Sequence, residues 1–191
     1  MNIPVAVKVT KMKEENKVLM QEMHREARLM RQYKHLNIVA FYGMVIENDN
    51  VMIVMEFVSG GGLDHHLKNR QVSIPDRCSF AFDVSLGLYY LHNKRCMHRQ
   101  APEVIATRMY TRECDVYSYG ILVWEIFNNA RMPFEEYSNR TVRQRLCEPR
   151  FRPPLTPDMP DEIRIIVAAC WCANPELRPR AYSSLRVTKV D

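Results

Sequence analysis

Three groups of side chains in this 191-residue chain could take part in chemistry, and each also has a plain structural explanation. Lys8 lies in Ile3-Pro4-Val5-Ala6-Val7-Lys8-Val9, an alternating β-branched run that predicts a strand, and on this segment alone it reads as an ordinary strand-edge lysine. From about residue 13 to residue 33 the pattern turns helical, with Leu19, Met23, Met30 and Tyr33 on one stripe. Glu26 fills the step between Met23 and Met30, where an unpaired carboxylate would be costly. A solvated glutamate on a wider helix face is the alternative, and Glu14, Glu15 and Glu22 have that reading without difficulty. The third group is the polar run Cys96-Met97-His98-Arg99-Gln100-Ala101-Pro102-Glu103, set between two segments that read as helices.

Other reactive-looking residues lead nowhere. Ser59-Gly60-Gly61-Gly62 lacks the Gly-x-Gly-x-x-Gly spacing of a phosphate cradle and leads into Leu63-Asp64-His65-His66-Leu67, so it reads as a flexible connector. His65 and His66 are adjacent, would point different ways from a helix, and read as surface histidines. The six cysteines form no Cys-x-x-Cys pair, and Cys170-Trp171-Cys172 lacks zinc-ligand spacing, so free thiols in a reducing compartment are expected and no metal site. Net charge is +5 with basic and acidic residues interspersed. No basic block with interleaved aromatics points to nucleic acid. No run reaches transmembrane length and the N-terminus lacks a signal-peptide core, so the expected location is the cytoplasm, at most peripheral to the plasma membrane.

The elements that position these groups follow from periodicity and punctuation. Phe41-Tyr42-Gly43-Met44-Val45 and Val51-Met52-Ile53-Val54-Met55 predict a hairpin about the polar turn Glu47-Asn48-Asp49-Asn50. Ser73 is placed to cap a helix, with Asp76 as its partner, and Phe80, Val84, Leu88 and Leu91 then recur at helical spacing as core positions. Asp115-Val116-Tyr117-Ser118-Tyr119-Gly120-Ile121-Leu122-Val123-Trp124-Glu125 is too apolar for a surface helix, with Asp115 available as its N-cap. Arg152-Pro153-Pro154-Leu155-Thr156-Pro157 reads as a loop, and a last helix from about residue 161 to 172 turns Ile163, Ile166, Val167 and Cys170 inward. At 47% hydrophobic, the chain is long enough to bury a core in one or two lobes.

Several of these motifs together resemble a protein tyrosine kinase catalytic domain. Val-Ala-Val-Lys followed by the stripe-bearing helix resembles the third strand and C-helix of that family. His98-Arg99 resembles the start of the His-Arg-Asp catalytic loop, and Ala101-Pro102-Glu103 resembles the Ala-Pro-Glu motif that closes the activation segment. In the family several dozen residues separate the last two motifs; here they are contiguous, and Gln100 stands where the catalytic aspartate is expected. The Asp-Val-Tyr-Ser-Tyr-Gly run and the Cys-Trp…Asn-Pro-Glu-Leu-Arg-Pro ending are most similar to the cytoplasmic, Fes/Fer-like group.

The resemblance implies an α+β, protein-kinase-like two-lobe fold, truncated. Residues 1–58 would form a partial N-lobe ending at the hinge, and residues 59–191 a partial C-lobe with a deletion at 99/100. By the same resemblance Lys8 would grip the α- and β-phosphates of ATP while Glu26 orients it. Ala6 would cover the adenine ring, Met55 would be the gatekeeper, and the Glu56 carbonyl and Val58 amide would face the adenine edge. Glu103 would pair with Arg178 as a structural clamp, and Asp115 would hydrogen-bond the catalytic-loop backbone. Met30, Phe41 and His98 match three members of the family's internal spine. His98 and Arg99 are remnants of a catalytic loop whose aspartate, magnesium-binding asparagine and Asp-Phe-Gly are missing, and the glycine-rich loop would precede Val5. The expected protein is therefore a tyrosine kinase homologue that acts on or binds proteins, is catalytically inactive as written, holds ATP weakly or not at all, and holds no magnesium. A non-catalytic, pseudokinase-type interaction module and a non-folding product of a skipped exon are the alternatives.

Overall fold

A computed structural model of the chain describes residues 3–11, 17–47, 50–96, 101 and 111–180, with the side chains of 17–22 excepted. The chain divides into two compact units, Met1–Gly61 and Gly62–Asp191.

The first unit is a three-stranded antiparallel sheet with one helix. Strands β1 (Val5–Lys11), β2 (Phe41–Glu47) and β3 (Asn50–Glu56) lie in the order β1-β3-β2. The hairpin expected from the two apolar runs is present: β2 and β3 pair in register from Ile46 opposite Val51 to Glu47 opposite Asn50, with an irregularity between Phe41 and Gly43. β1 pairs on the other side of β3, Ala6 opposite Met55 and Lys8 opposite Ile53. Direct antiparallel partners share a face and successive residues alternate. One face therefore carries Val51, Ile53 and Met55, and it is this face that Met23 of helix α1 (Lys17–Met30) covers in a small buried cluster flanked by Phe41 and Met44. Val5, Val7 and Val9 lie on the opposite face and stay exposed.

Helix α1 turns a narrower face inward than its stripe suggests. Met23 and Ala27 are buried and Met30 is half-buried, whereas Glu26 is exposed. At about 100° per residue, Ala27 and Glu26 fall about 50° to opposite sides of the Met23–Met30 line, and the inward face lies on the Ala27 side, which leaves the Glu26 carboxylate in water. The expectation of a carboxylate within the apolar stripe is corrected accordingly.

The second unit is helical: α2 (Leu63–Asn69), α3 (Ile74–Asn93), α4 (Arg112–Phe127), α5 (Asn139–Arg145) and α6 (Asp161–Cys170), followed by a 3₁₀ turn at Pro175–Leu177. Local chemistry sets their ends. Ser73 caps α3, its hydroxyl accepting from the Asp76 N–H at 3.3 Å and donating to the Asp76 carboxylate at 2.6 Å. Ser138 caps α5 in the same way through the Thr141 N–H at 3.1 Å. Asn174 opens the 3₁₀ turn, its side-chain oxygen accepting from the Glu176 N–H at 3.1 Å.

Helix α4 is the centre of this unit. Val116, Tyr119, Val123, Trp124, Ile126 and Phe127 are all buried, each contributing about 1.5–3 kcal/mol by leaving water. α3 and α6 pack on it. The α3 side of this contact is made of small and polar residues: Cys78, Ala81, Ser85 and His92 are buried, while Phe80, Val84 and Leu88 pack around them half-exposed. Small residues let the helices approach closely enough for the Tyr119 hydroxyl to donate to the Ala81 carbonyl at 3.1 Å. On the α6 side, Gly120 does the same work: a Cβ there would stand 2.7 Å from the Cys170 Cβ. Ile163, Ile166, Val167 and Cys170 of α6 are buried as their spacing predicts.

Candidate active site

In the first unit the register brings Ala6, Lys8 and Met55 onto one face of the sheet, the face that also carries Ile53. Lys8 is solvent-exposed, as is Glu26. Among the ion pairs of the described residues none joins the two. At the end of β3, Glu56 uses its N–H on the Ala40 carbonyl at 2.8 Å and its carboxylate on the Ala40 N–H at 3.0 Å. These two bonds tie the strand end to the segment entering β2. Val58 is exposed, and its carbonyl accepts from the Gly61 N–H at 3.3 Å. Among the described residues no acceptor meets the Val58 N–H.

In the second unit, the chain around the polar run is anchored at both sides. Helix α3 ends in a Schellman arrangement: the Arg95 N–H donates to the His92 carbonyl at 3.1 Å and the Cys96 N–H to the Leu91 carbonyl at 3.0 Å. Arg95 takes the left-handed position, φ 57°, that glycine usually fills. His98, Arg99, Gln100 and Glu103 lie outside the described residues. Ala101, between them, is buried in the helical core.

At the downstream side the cap of α4 is Thr111, whose N–H donates to the Cys114 Sγ at 3.4 Å. Asp115 thus lies one turn inside the helix, and the expectation that it serves as N-cap is corrected. Its place on the inward side has another consequence. Asp115 is buried, and its Oδ2 meets the Nε2 of the equally buried His92 at 3.0 Å. A carboxylate in so dry a place needs such a partner, and this bond ties the end of α3 to the start of α4 across the segment 97–110. Arg178 is buried as well. Its Nε donates to the Cys172 carbonyl at 3.0 Å and one terminal nitrogen to the Glu113 carbonyl at 2.9 Å, with the guanidinium 5.1 Å over the Tyr117 ring. Arg178 therefore braces the first turn of α4. Of the three thiols buried in this core, two are held protonated: burial pushes Cys170 up to about 12, and burial followed by the Glu162 charge raises Cys78.

His92, Thr111 and Arg77 are the residues that sequence reasoning passed over. His92 had a readable signal, since it stands seven residues after Ser85 and eleven after Ala81 and so shares their helix face. Among the described residues no group of three or more His, Cys, Asp or Glu side chains is placed to hold a metal, and no helix is long and apolar enough to cross a membrane.

A small antiparallel sheet with one covering helix, followed by a helical unit built on a buried α4, is the arrangement the sequence resemblance implies. The profile of the family described as protein tyrosine and serine/threonine kinase matches residues 1–101 and 100–186, so the chain belongs to that family. The two stretches meet at the junction of Arg99-Gln100 with Ala101-Pro102-Glu103. Among individual proteins it is similar to the tyrosine-protein kinase Fer of Rattus norvegicus, 29% identical over 224 residues that take in 93% of this chain and 27% of the relative. It is similar also to the Fer-related kinase 1 of Caenorhabditis elegans, 27% identical over 81% of this chain and 50% of the relative. The serine/threonine-protein kinase STY17 of Arabidopsis thaliana is 26% identical over 92% of this chain and 38% of the relative. The chain thus spans between about a quarter and a half of the length of these relatives. The alignment takes in 93% of the 191 residues, about 178, so about 46 of its 224 positions have no counterpart here.

Proposed function

We propose that this chain is a tyrosine-kinase scaffold that, as written, does not transfer phosphoryl groups. The observation that carries the reading is the direct step from Arg99 to Gln100-Ala101-Pro102-Glu103. Phosphoryl transfer is positioning and charge neutralisation, and it needs a group to take the tyrosine proton and carboxylates to hold magnesium. A glutamine amide accepts no proton at neutral pH, and loss of a general base alone costs about 10²–10⁴ in rate. The metal-holding groups of the family belong to the stretch between its two motifs, so no magnesium step is assigned to this chain. The break in the family match at this junction, and the excess length of the aligned relative, support a missing stretch.

What remains is a face suited to an adenine nucleotide. ATP, when bound, supplies the γ-phosphoryl group. Ala6 and Met55 would hold its base, with the Val58 N–H and the Glu56 carbonyl at the base edge, and Lys8 would neutralise phosphate charge with Glu26 as its orienting partner. The shared face of Ala6, Lys8 and Met55 supports this assignment. The helical unit, whose core closes around α4, is the candidate for binding partner proteins in the cytoplasm, which is the second reading.

The test is incubation of the purified chain with ATP, magnesium and a tyrosine-containing polymer, beside a Lys8→Met variant. No phosphotyrosine above the variant's background is expected. Phosphorylation by the chain that disappears in Lys8→Met would overturn the proposal.

A further inference from the structure

In the helical unit a cavity of about 470 Å³ opens between the end of α4, helix α5 and the loop at 151–156. That volume lies in the range of small-molecule sites. One wall is aromatic: Phe134 stacks on Phe151 at 4.6 Å and 13°, and Tyr137 meets Phe151 edge-on at 5.3 Å. Most of the polar capacity around this wall is already spent. The Trp124 Nε1 donates to the Pro154 carbonyl at 2.8 Å, Arg145 lies 4.3 Å over Phe151, and Arg152 donates to the carbonyls of Leu146, Glu148 and Phe151.

Arg150 is exposed and takes part in none of the ion pairs among the described residues, so it can donate to an anion in the cavity. The Thr156 hydroxyl also lacks a hydrogen-bond partner among the described residues, but its oxygen is closed to solvent. The other charged groups are Arg131 and Arg145, held by Glu135 and Glu148 in exposed bridges, Arg152, engaged with the three carbonyls above, and Glu136, a carboxylate of the lining. Exposed bridges of this kind are weak and exchange readily for another anion. The loop that bears Phe134 is also held in an uncommon backbone state, with Asn129, Ala130 and Phe134 at φ 54°, 55° and 60° without being glycine. Such strain persists where the surroundings impose it and collects at binding sites.

We propose that this cavity binds an aryl oxyanion: an aromatic ring that packs beside Phe134 and Tyr137, the two rings of the wall that are not buried, and carries a phosphate or carboxylate to Arg150. The oxyanion could be the side chain of a tyrosine-phosphorylated peptide or a free aryl acid.

The test is titration of the full chain, by calorimetry and ligand-observed NMR, with phenyl phosphate, benzoate, inorganic phosphate and benzyl alcohol. Saturable binding of phenyl phosphate is expected. It should weaken about tenfold in Arg150→Gln, the scale of a hydrogen bond to a charged group. Inorganic phosphate and benzyl alcohol should each bind at least tenfold more weakly. Arg150 is exposed, so its variant should fold as the parent does, and a thermal melt checks this. A phosphotyrosine peptide that matches phenyl phosphate assigns the peptide source, and benzoate binding without peptide binding assigns the free acid; either supports the site. Absence of saturable binding by both aryl anions, equal binding of inorganic phosphate, or an unchanged Arg150→Gln would overturn it.

Discussion

A buried arginine joins the start of α3 to the end of α4 in the helical unit. Arg77, on the first turn of α3, donates to the Ile126 carbonyl in the last turn of α4, to the Asn129 side-chain oxygen at 2.5 Å and to the Val72 carbonyl at 3.2 Å. The last carbonyls of a helix lack intrahelical donors and carry partial negative charge, so a guanidinium is well matched to them. Arg77→Met keeps much of the volume, removes all three bonds, and leaves the Ile126 carbonyl buried. Each bond to a charged group contributes about 1.5–3 kcal/mol and a stranded polar group adds its own penalty, but removing a buried charge returns some desolvation energy. A net loss of about 3 kcal/mol is expected, a large share of the ~5–15 kcal/mol that holds a typical domain. Urea unfolding followed by tryptophan fluorescence reads this unit alone, since Trp124 and Trp171 both lie in it. Arg77→Lys keeps the charge without the fork and should recover less than half of the loss. An Arg77→Met protein within about 0.5 kcal/mol of the parent would refute the reasoning, and would mean that desolvation cancels the three bonds.

Three further outcomes follow from the same core. Asp115→Ala strands the buried His92 and should cost about 2–4 kcal/mol by urea unfolding, whereas the paired change with His92→Phe should recover part of that loss. Gly120→Ala places a methyl group 2.7 Å from the Cys170 Cβ and 2.8 Å from the Trp171 Nε1, so overpacking of about 1–3 kcal/mol is expected as a lowered Tm. The Cys170 thiol, with its pKa pushed up to about 12 from 9.0, keeps its proton in the folded chain while the unfolded chain releases it. Its contribution is full below pH 9 and is lost as the pH rises toward 12; Tyr119, also raised by burial, loses its own contribution over a higher range. Stability should fall with rising pH above about 9, less steeply in Cys170→Ala, in unfolding curves collected across that range.

How much was legible in the sequence depended on whether a signal was local. The hairpin, the Ser73 cap and the inward face of α6 were readable because each is written within a few residues: alternation, a hydroxyl three places before its carboxylate, apolar spacing of three and four. α3 was legible in part. Phe80, Val84 and Leu88 pack against the core as their spacing predicts, but the deepest positions are Ala81 and Ser85, since a neighbouring helix approaches most closely over the smallest side chains. Glu26 was misplaced by a similar margin, because a step of three residues along a helix looks equivalent to a step of four until Ala27 supplies the alternative.

The site divides along the same line. Ala6, Lys8 and Met55 could be assigned to one face only through a resemblance, and the register with β3 supplies the physical reason they share it. His92, Asp115, Arg77 and Arg178 form long-range bonds, 23 and 65 residues apart in the cases of His92–Asp115 and Arg178–Glu113, which no local window contains. Arg77 and His92 reach α4 from α3, Arg178 reaches it from the other side, and Asp115 stands on α4 itself. These bonds join α4 to residues on both sides of the segment 97–110 and do not involve that segment. A stretch lost between Arg99 and Gln100 would remove the chemistry while leaving every one of these bonds available. That is the physical reason a kinase-family core and an incomplete catalytic loop can belong to the same chain.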